Sequence, residues 1–167
     1  FSQAVNCEGR AAVQWHQVNA ADGNIVQTGL IKSDTTNYIQ TTLAVNKNND
    51  VLIGFQEANA NMFVSPRFAY RKATDAAGTI RKIVRVGEGI GAADGVAWGD
   101  YSGSVVDGDN QLDLWTIQSC ANEKGRHEAG LSVPTRRISP VWWVLPVRQS
   151  RAFPVRPRRP RPANRRY

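Results

Sequence analysis

The chain has 167 residues, of which 41% are hydrophobic, and it carries a formal net charge of +7. This length suits one domain with its own core, and the longest apolar run near the C-terminus, Val141 to Leu145, is far shorter than the ~20 apolar residues of a membrane span, so no span is expected. Residues 1–135 contain 11 Lys and Arg against 14 Asp and Glu, whereas residues 136–167 contain 10 Arg and no acidic residue, so nucleic-acid binding is expected only through the C-terminal tail.

The first third of the chain predicts antiparallel strands. Alternating apolar and polar residues predict a strand at 13–18, and a turn at 20–24 connects it to a second strand at 25–31. A hairpin follows, with strands at 41–46 and 51–55. Because the second of these strands is apolar on both faces, we expect both of its faces to be buried.

The middle of the chain also predicts antiparallel strands, with a strand at 68–72, a turn at 75–78 and a strand at 80–86. The loop 87–95 fits the pattern G-x-G-x-x-A, but no helix follows that could hold a dinucleotide phosphate, so we interpret this loop as an insertion. A second hairpin occupies 95–117. Since no segment shows a sustained helical period, the predicted fold class is all-β.

Two alignments of the chain with itself indicate an internal repeat. A shift of 61 positions aligns Val45, Asn46, Asn49, Val51 and Ile53 with Val106, Asp107, Asn110, Leu112 and Leu114. A shift of 55 positions aligns Val13, Trp15, Gly23 and Ile25 with Phe68, Tyr70, Gly78 and Ile80. A repeated four-stranded unit of this length is typical of β-propeller blades. We therefore expect a first blade at 13–65 and a second at 66–125, with residues 1–12 as a lead-in or as part of a preceding blade.

Motifs in the second hairpin carry a family resemblance. The run Trp98-Gly99-Asp100-Tyr101-Ser102-Gly103, followed by Val106-Asp107 and Leu114-Trp115-Thr116, resembles secreted bacterial β-propellers of the sialidase-like (BNR repeat) group over roughly residues 13–121. The resemblance implies a partial β-propeller of about two four-stranded antiparallel blades, a fragment of a longer extracellular protein. Its partners would be the remaining blades and a carbohydrate or protein ligand. An Asp-box is lacking: 22–24 and 75–79 have neither its leading Ser nor its closing Trp.

Trp98, Asp100 and Tyr101 are the candidate ligand-binding residues. An aromatic face beside a carboxylate on a loop suits carbohydrate, and the alternative is that Trp98 packs between blades while its neighbours fix the turn. A second function is a sialidase-like glycoside hydrolase completed by residues of other blades. The side chains of suitable type for that chemistry are Glu57, Arg67, Tyr70, Arg71 and Asp100.

Oxygen ligands for calcium are concentrated in one turn, at Asp107, Asp109, Asn110 and Asp113. The turn one repeat earlier, 46–50, has a single acidic residue, which favours a purely structural turn in both places. The two cysteines, Cys7 and Cys120, either form a disulfide or remain as two thiols.

The tail, residues 126–167, is rich in Arg and Pro and is predicted to be disordered and basic. Such an arm could bind nucleic acid or another polyanion with a strong dependence on salt. The alternative is that its composition reflects GC-rich DNA translated out of frame.

Overall fold

The computed structural model describes residues 1–92 and 102–121 in full, and the backbone of residues 127–129. These residues are all-β, as predicted, and they contain no helix, so the described part of the chain has no helix able to cross a membrane. Of the predicted tail, only the short strand at 127–129 lies within the described residues. The strands are β1 (Ser2–Cys7), β2 (Arg10–Val18), β3 (Ile25–Ile31), β4 (Asn37–Val45), β5 (Val51–Asn59), β6 (Met62–Arg71), β7 (Val84–Arg85), β8 (Gly103–Val106), β9 (Leu114–Ile117), β10 (Ser119–Ala121) and β11 (His127–Ala129).

All strand pairs are antiparallel and follow chain order. Sheet 1 contains β1 to β3, sheet 2 contains β4 to β7, and sheet 3 contains β8 and β9. Strands β10 and β11 form a further hairpin, and only Gln118 separates β9 from β10. Residues 1–12 form β1 and the start of β2. Sheet 2 spans residues 37–85 and so includes residues on both sides of the boundary at 65 and 66 that the repeats suggest.

The three sheets are stacked face to face, with sheet 2 in the middle. One core lies between sheets 1 and 2 and is formed by Val13, Trp15, Ile31, Tyr38, Val51, Ile53, Phe55 and Ala69. A second core lies between sheets 2 and 3 and is formed by Ala44, Leu52, Phe68 and Leu114. Residues 51–56 of β5 are therefore buried on both faces, which confirms the prediction for this strand.

Sheets 1 and 2 present equivalent faces to the sheet that follows them. In sheet 1, Val13, Trp15 and Ile31 pack against sheet 2. The residues 55 positions later, Phe68, Tyr70 and Val86, pack on the side of sheet 2 that faces sheet 3. The connecting turns also agree, since Gly23 has a φ of 74° and Gly78 a φ of 72°, in the left-handed region that glycine adopts without a steric penalty.

The two hairpins of the repeat differ in the length of their turns. Val45 pairs with Val51, whereas Val106 pairs with Leu114, so the second turn is longer by two residues. Residues after the turn therefore correspond at a shift of 63, and not at the 61 taken from the sequence. The pair Glu57 and Ser65 accordingly has its counterpart in Cys120 and Glu128. The repeat thus extends to β11.

Candidate functional site

The predicted ligand-binding residues Trp98, Asp100 and Tyr101 lie outside the described residues, but both flanks of their loop are described. On one flank, the Val86 amide donates to Pro66 O at 3.2 Å. On the other, Gln56 Nε2 donates to Ser102 Oγ at 3.3 Å. Gln56 and Pro66 are paired in β5 and β6, so Val86 and Ser102 both lie next to the same part of sheet 2.

An ion cluster centred on Arg67 holds the first of these flanks. The Arg67 side chain is completely buried, and its Nε donates to a carboxylate oxygen of Glu57. Its Nη1 donates to Gly87 O at 2.6 Å and to Pro66 O at 2.9 Å, and its Nη2 reaches Glu88 Oε2 at 3.1 Å. Every nitrogen of the guanidinium is thus engaged within the chain. Arg67 fastens the loop 87–90 to β6.

Tyr38 extends this cluster along β4, where it pairs with Glu57. Its ring meets Phe55 edge-on with the centroids 5.1 Å apart. Burial raises the pKa of the Tyr38 hydroxyl, and the nearby Glu57 carboxylate raises it further. A hydroxyl in this setting stays protonated, so it is suited to donating a hydrogen bond and poorly suited to acting as a nucleophile.

The residues with suitable groups for glycoside hydrolysis do not assemble into a site within the described residues. Arg71 is buried beneath sheet 1, where its guanidinium lies 5.4 Å from the centre of the Trp15 ring and donates to Thr79 O and Asp75 O. Tyr70 points to the opposite face of sheet 2, under Arg81. Of the five candidates, the structure brings together Glu57 and Arg67, and it places Asp100 outside the described residues.

The carboxylates proposed for calcium hold the turn between β8 and β9. Asp107 Oδ1 accepts hydrogen bonds from the amides of Asp109 and Asn110, and Oδ2 accepts one from Trp115 Nε1 at 3.3 Å. The hydrogen bond from the Asn110 amide, and to a smaller extent the one from the Asp109 amide, keeps the pKa of the Asp107 carboxyl below its usual value. Asp113 accepts from Asn110 Nδ2 at 2.9 Å. These hydrogen bonds hold the turn, and in the fully described ranges no three His, Cys, Asp or Glu side chains gather as a metal site requires.

The two turns of the repeat lie side by side. The Lys47 amide donates to Gln111 O at 3.1 Å, and Asn46 Nδ2 donates to Leu112 O at 2.9 Å. An open cleft of about 420 Å³ lies between them, lined by Val45, Asn46, Lys47, Val106, Asp107, Gly108 and Gln111. Sequence reasoning missed this cleft, although stacking of the two aligned hairpins would have placed their turns next to each other.

A buried group of hydroxyls and amides joins sheets 2 and 3. Thr42 Oγ1 lies 2.7 Å from Ser104 Oγ, which is 2.9 Å from Thr116 Oγ1. Gln118 Nε2 donates to both threonine hydroxyls, at 2.8 and 3.0 Å. These groups pack against Gly54, the one position of β5 where there is no side chain. Periodicity gave no signal for this cluster, because strand-facing Thr and Gln read as exposed residues.

Both cysteines are thiols in the structure, and the disulfide considered for Cys7 and Cys120 is not formed. Cys7 ends β1 in sheet 1, and Cys120 lies in β10, where its Sγ donates to Glu88 O at 3.4 Å. Cys120 therefore adds a second tether to the loop that Arg67 holds.

Comparison with protein-family models, with curated proteins and with solved structures finds no match to this chain. The internal equivalence of the sheets and the bonds that Val86 and Ser102 form with sheet 2 are the observations that bear on function.

Proposed function

We propose that the chain forms consecutive blades of a β-propeller and serves as a scaffold and binding module, with carbohydrate as the ligand. The observation that carries this proposal is the equivalence of successive sheet interfaces. Val13, Trp15 and Ile31 make the contact between sheets 1 and 2 that Phe68, Tyr70 and Val86 make between sheets 2 and 3. A propeller is built by repeating one such interface around an axis.

The strand order of sheet 2 supports the same proposal. Its four strands follow the chain as β4, β5, β6 and β7, each antiparallel to the one before, which is the organisation of a propeller blade. Sheet 1 corresponds to the last three strands of such a unit. Strand β8 corresponds to β4, β9 and β10 together correspond to β5, and β11 corresponds to β6. The pairs Glu57–Ser65 and Cys120–Glu128 share this register.

The ligand would be bound by the loop containing Trp98, Asp100 and Tyr101. Described residues on either side of this segment, Val86 and Ser102, bond to sheet 2, which supports a binding role for the residues between them. Arg67 and Arg71 are both buried and hydrogen-bonded to the chain's own carbonyls. Their engagement favours a binding module over a hydrolase that would use them to grip a substrate carboxylate.

Screening of the full chain against a panel of glycans, followed by titration calorimetry, tests the proposal. We expect Trp98→Ala to weaken binding by more than about tenfold, as truncation of an aromatic anchor typically does. Trp142→Ala, in the basic tail, serves as the matched control and should leave the affinity unchanged. Absence of binding to every glycan would refute the carbohydrate assignment, and equal effects of the two substitutions would refute the role of this loop.

A further inference from the structure

The outer face of sheet 3 is apolar and uncovered by any described residue. Val105 and Ile117 are 60% and 45% exposed, and Trp115 lies between them in the paired strand. Ser104 and Thr116, which alternate with these residues, point into sheet 2. The Trp115 ring is held in place by its hydrogen bond to Asp107. The face is therefore a preformed apolar surface.

The same positions one sheet earlier form an interface. Ala44 corresponds to Val105 at the shift of 61, and Leu52 and Gly54 correspond to Trp115 and Ile117 at the shift of 63. Ala44 and Leu52 lie in the core between sheets 2 and 3, where Leu52 is completely buried. Gly54 is in contact with Thr116 and Gln118 from sheet 3. The outer face of sheet 3 thus repeats a surface that a following sheet covers.

The opposite end of the stack carries a second exposed face. On the outer face of sheet 1, Phe1 stacks on His16 with ring centroids 4.7 Å apart, and Leu30 pairs with Gln14. Phe1 is 62% exposed and Leu30 is 42% exposed. The shift of 55 relates Gln14 to Ala69, which faces sheet 1 from the buried side of sheet 2. The outer face of sheet 1 therefore corresponds to the face of sheet 2 that packs against the preceding sheet.

We infer that these two end faces bind one another between copies of this chain, with sheet 3 of one copy packed on sheet 1 of the next. This inference rests on the proposed propeller architecture, and it identifies a second copy of the chain as the partner of each end face. The docking would continue the interface already present between sheets 1 and 2 and between sheets 2 and 3. Because the two faces differ, the association is head to tail, and such an interface produces a ring where the rotation closes.

The association is tested by light scattering of the full chain at increasing concentration. We expect the mass to rise from that of the 18.4 kDa monomer towards multiples of it. Val105→Glu, which disables the face on sheet 3, and Leu30→Glu, which disables the face on sheet 1, should each abolish the rise. Ile90→Glu is the matched control, since Ile90 is 59% exposed and lies on neither face.

Mixing the two disabled variants gives the decisive measurement. The intact sheet 3 of Leu30→Glu should bind the intact sheet 1 of Val105→Glu, so the mixture should form a dimer and nothing larger. Circular dichroism and urea unfolding establish that each variant is folded, and Val105→Ser and Leu30→Ser replace any that is not. A wild type that stays monomeric, or a mixture that forms no dimer, overturns the inference. A monomeric wild type that Val105→Glu destabilises would likewise overturn the inference, because the face would then be covered within one copy.

Failure of this association leaves the proposed function separately testable. Glycan binding depends on Trp98 and is measured on the monomeric variants as well as on the wild type. Retained glycan binding by a chain that does not associate would refute the docking alone. Association without glycan binding would refute the carbohydrate assignment alone.

Discussion

Gly54 is the position at which one added methyl group should do the most damage to the contact between sheets 2 and 3. An alanine Cβ there would overlap Thr116 Oγ1 and Gln118 Nε2 and would lie 2.9 Å from Thr42 Oγ1. Room can be made only by moving sheet 3 or by expelling the Gln118 amide. Gln118 is 1% exposed and donates to two hydroxyls, so its displacement breaks two hydrogen bonds and leaves the Gln118 amide nitrogen without these partners.

The expected cost follows from these two effects. Overpacking of a close-packed site costs about 1 to 3 kcal/mol, and loss of a buried hydrogen-bond partner adds about 1 to 3 kcal/mol, so Gly54→Ala should lower the free energy of unfolding by about 2 to 6 kcal/mol. Since a domain of this size is stabilised by only about 5 to 15 kcal/mol, the change should be large in an unfolding curve. The assay is equilibrium unfolding in urea, where we expect the midpoint to fall by about 1 to 2 M.

Gly103→Ala is the matched control, because a methyl group on that strand glycine has no atom within 4 Å. Its free energy of unfolding should stay within about 0.5 kcal/mol of the wild type. The double variant Gly54→Ala, Thr116→Ala removes one of the overlapping atoms, so its cost should be less than the sum of the two single costs. Equal urea midpoints for Gly54→Ala and the wild type would refute the proposed tight contact.

Two further predictions concern the charged residues of sheet 2. Arg67→Met should lower the free energy of unfolding by about 3 to 5 kcal/mol, because it leaves Glu57 partly buried without its partner. The control Arg85→Met, whose side chain is 72% exposed, should change it by less than about 1 kcal/mol, and equal urea midpoints for the two variants would contradict the role of Arg67. Arg81 donates two hydrogen bonds to Asp75 and thereby lowers the pKa of that carboxyl from 3.8 to about 2. Because the folded-state pKa is the lower one, the stabilisation is fully present above pH 4 and is lost as the pH falls through about 2. The melting temperature of Asp75→Asn should lie below that of the wild type at neutral pH and converge on it near pH 2, and two parallel pH profiles would exclude this ion pair as a stabilising contact.

The apolar pattern of the sequence predicted β2 to β5 and the two-sided burial of β5, because alternation and β-branched residues report directly on sheet faces. The strand expected at 80–86 was wrong in length, since only Val84–Arg85 pairs with β6, and β1, β10 and β11 were not predicted. Gly23 and Gly78 were correctly aligned for the same kind of reason, since both turns need a left-handed residue. The register after the second turn was wrong by two positions. The longer turn ends with Gln111 in the left-handed conformation where the shorter one uses Asn49, and nothing in the residue types marks that difference.

The polar interior was not predictable from the same pattern. Arg is among the residues least often buried, so the sequence suggested Arg67 only as a side chain suited to glycoside hydrolysis, and its burial depends on carboxylates and carbonyls that only the fold brings near it. Thr42, Ser104 and Gln118 present the same difficulty. Their partners lie in another sheet, at sequence separations of 62 and 76, which local patterning does not reach.

The position of β5 between two cores makes it the shared support of the whole stack. Val51, Ile53 and Phe55 contribute to one core while Leu52 contributes to the other, so opening this strand exposes both at once. Separation of sheet 1 or of sheet 3 from the stack disrupts only one of the two cores. Cooperativity in such an array is transmitted between nearest neighbours, so among the described strands we expect β5 to be the last to exchange its amide protons.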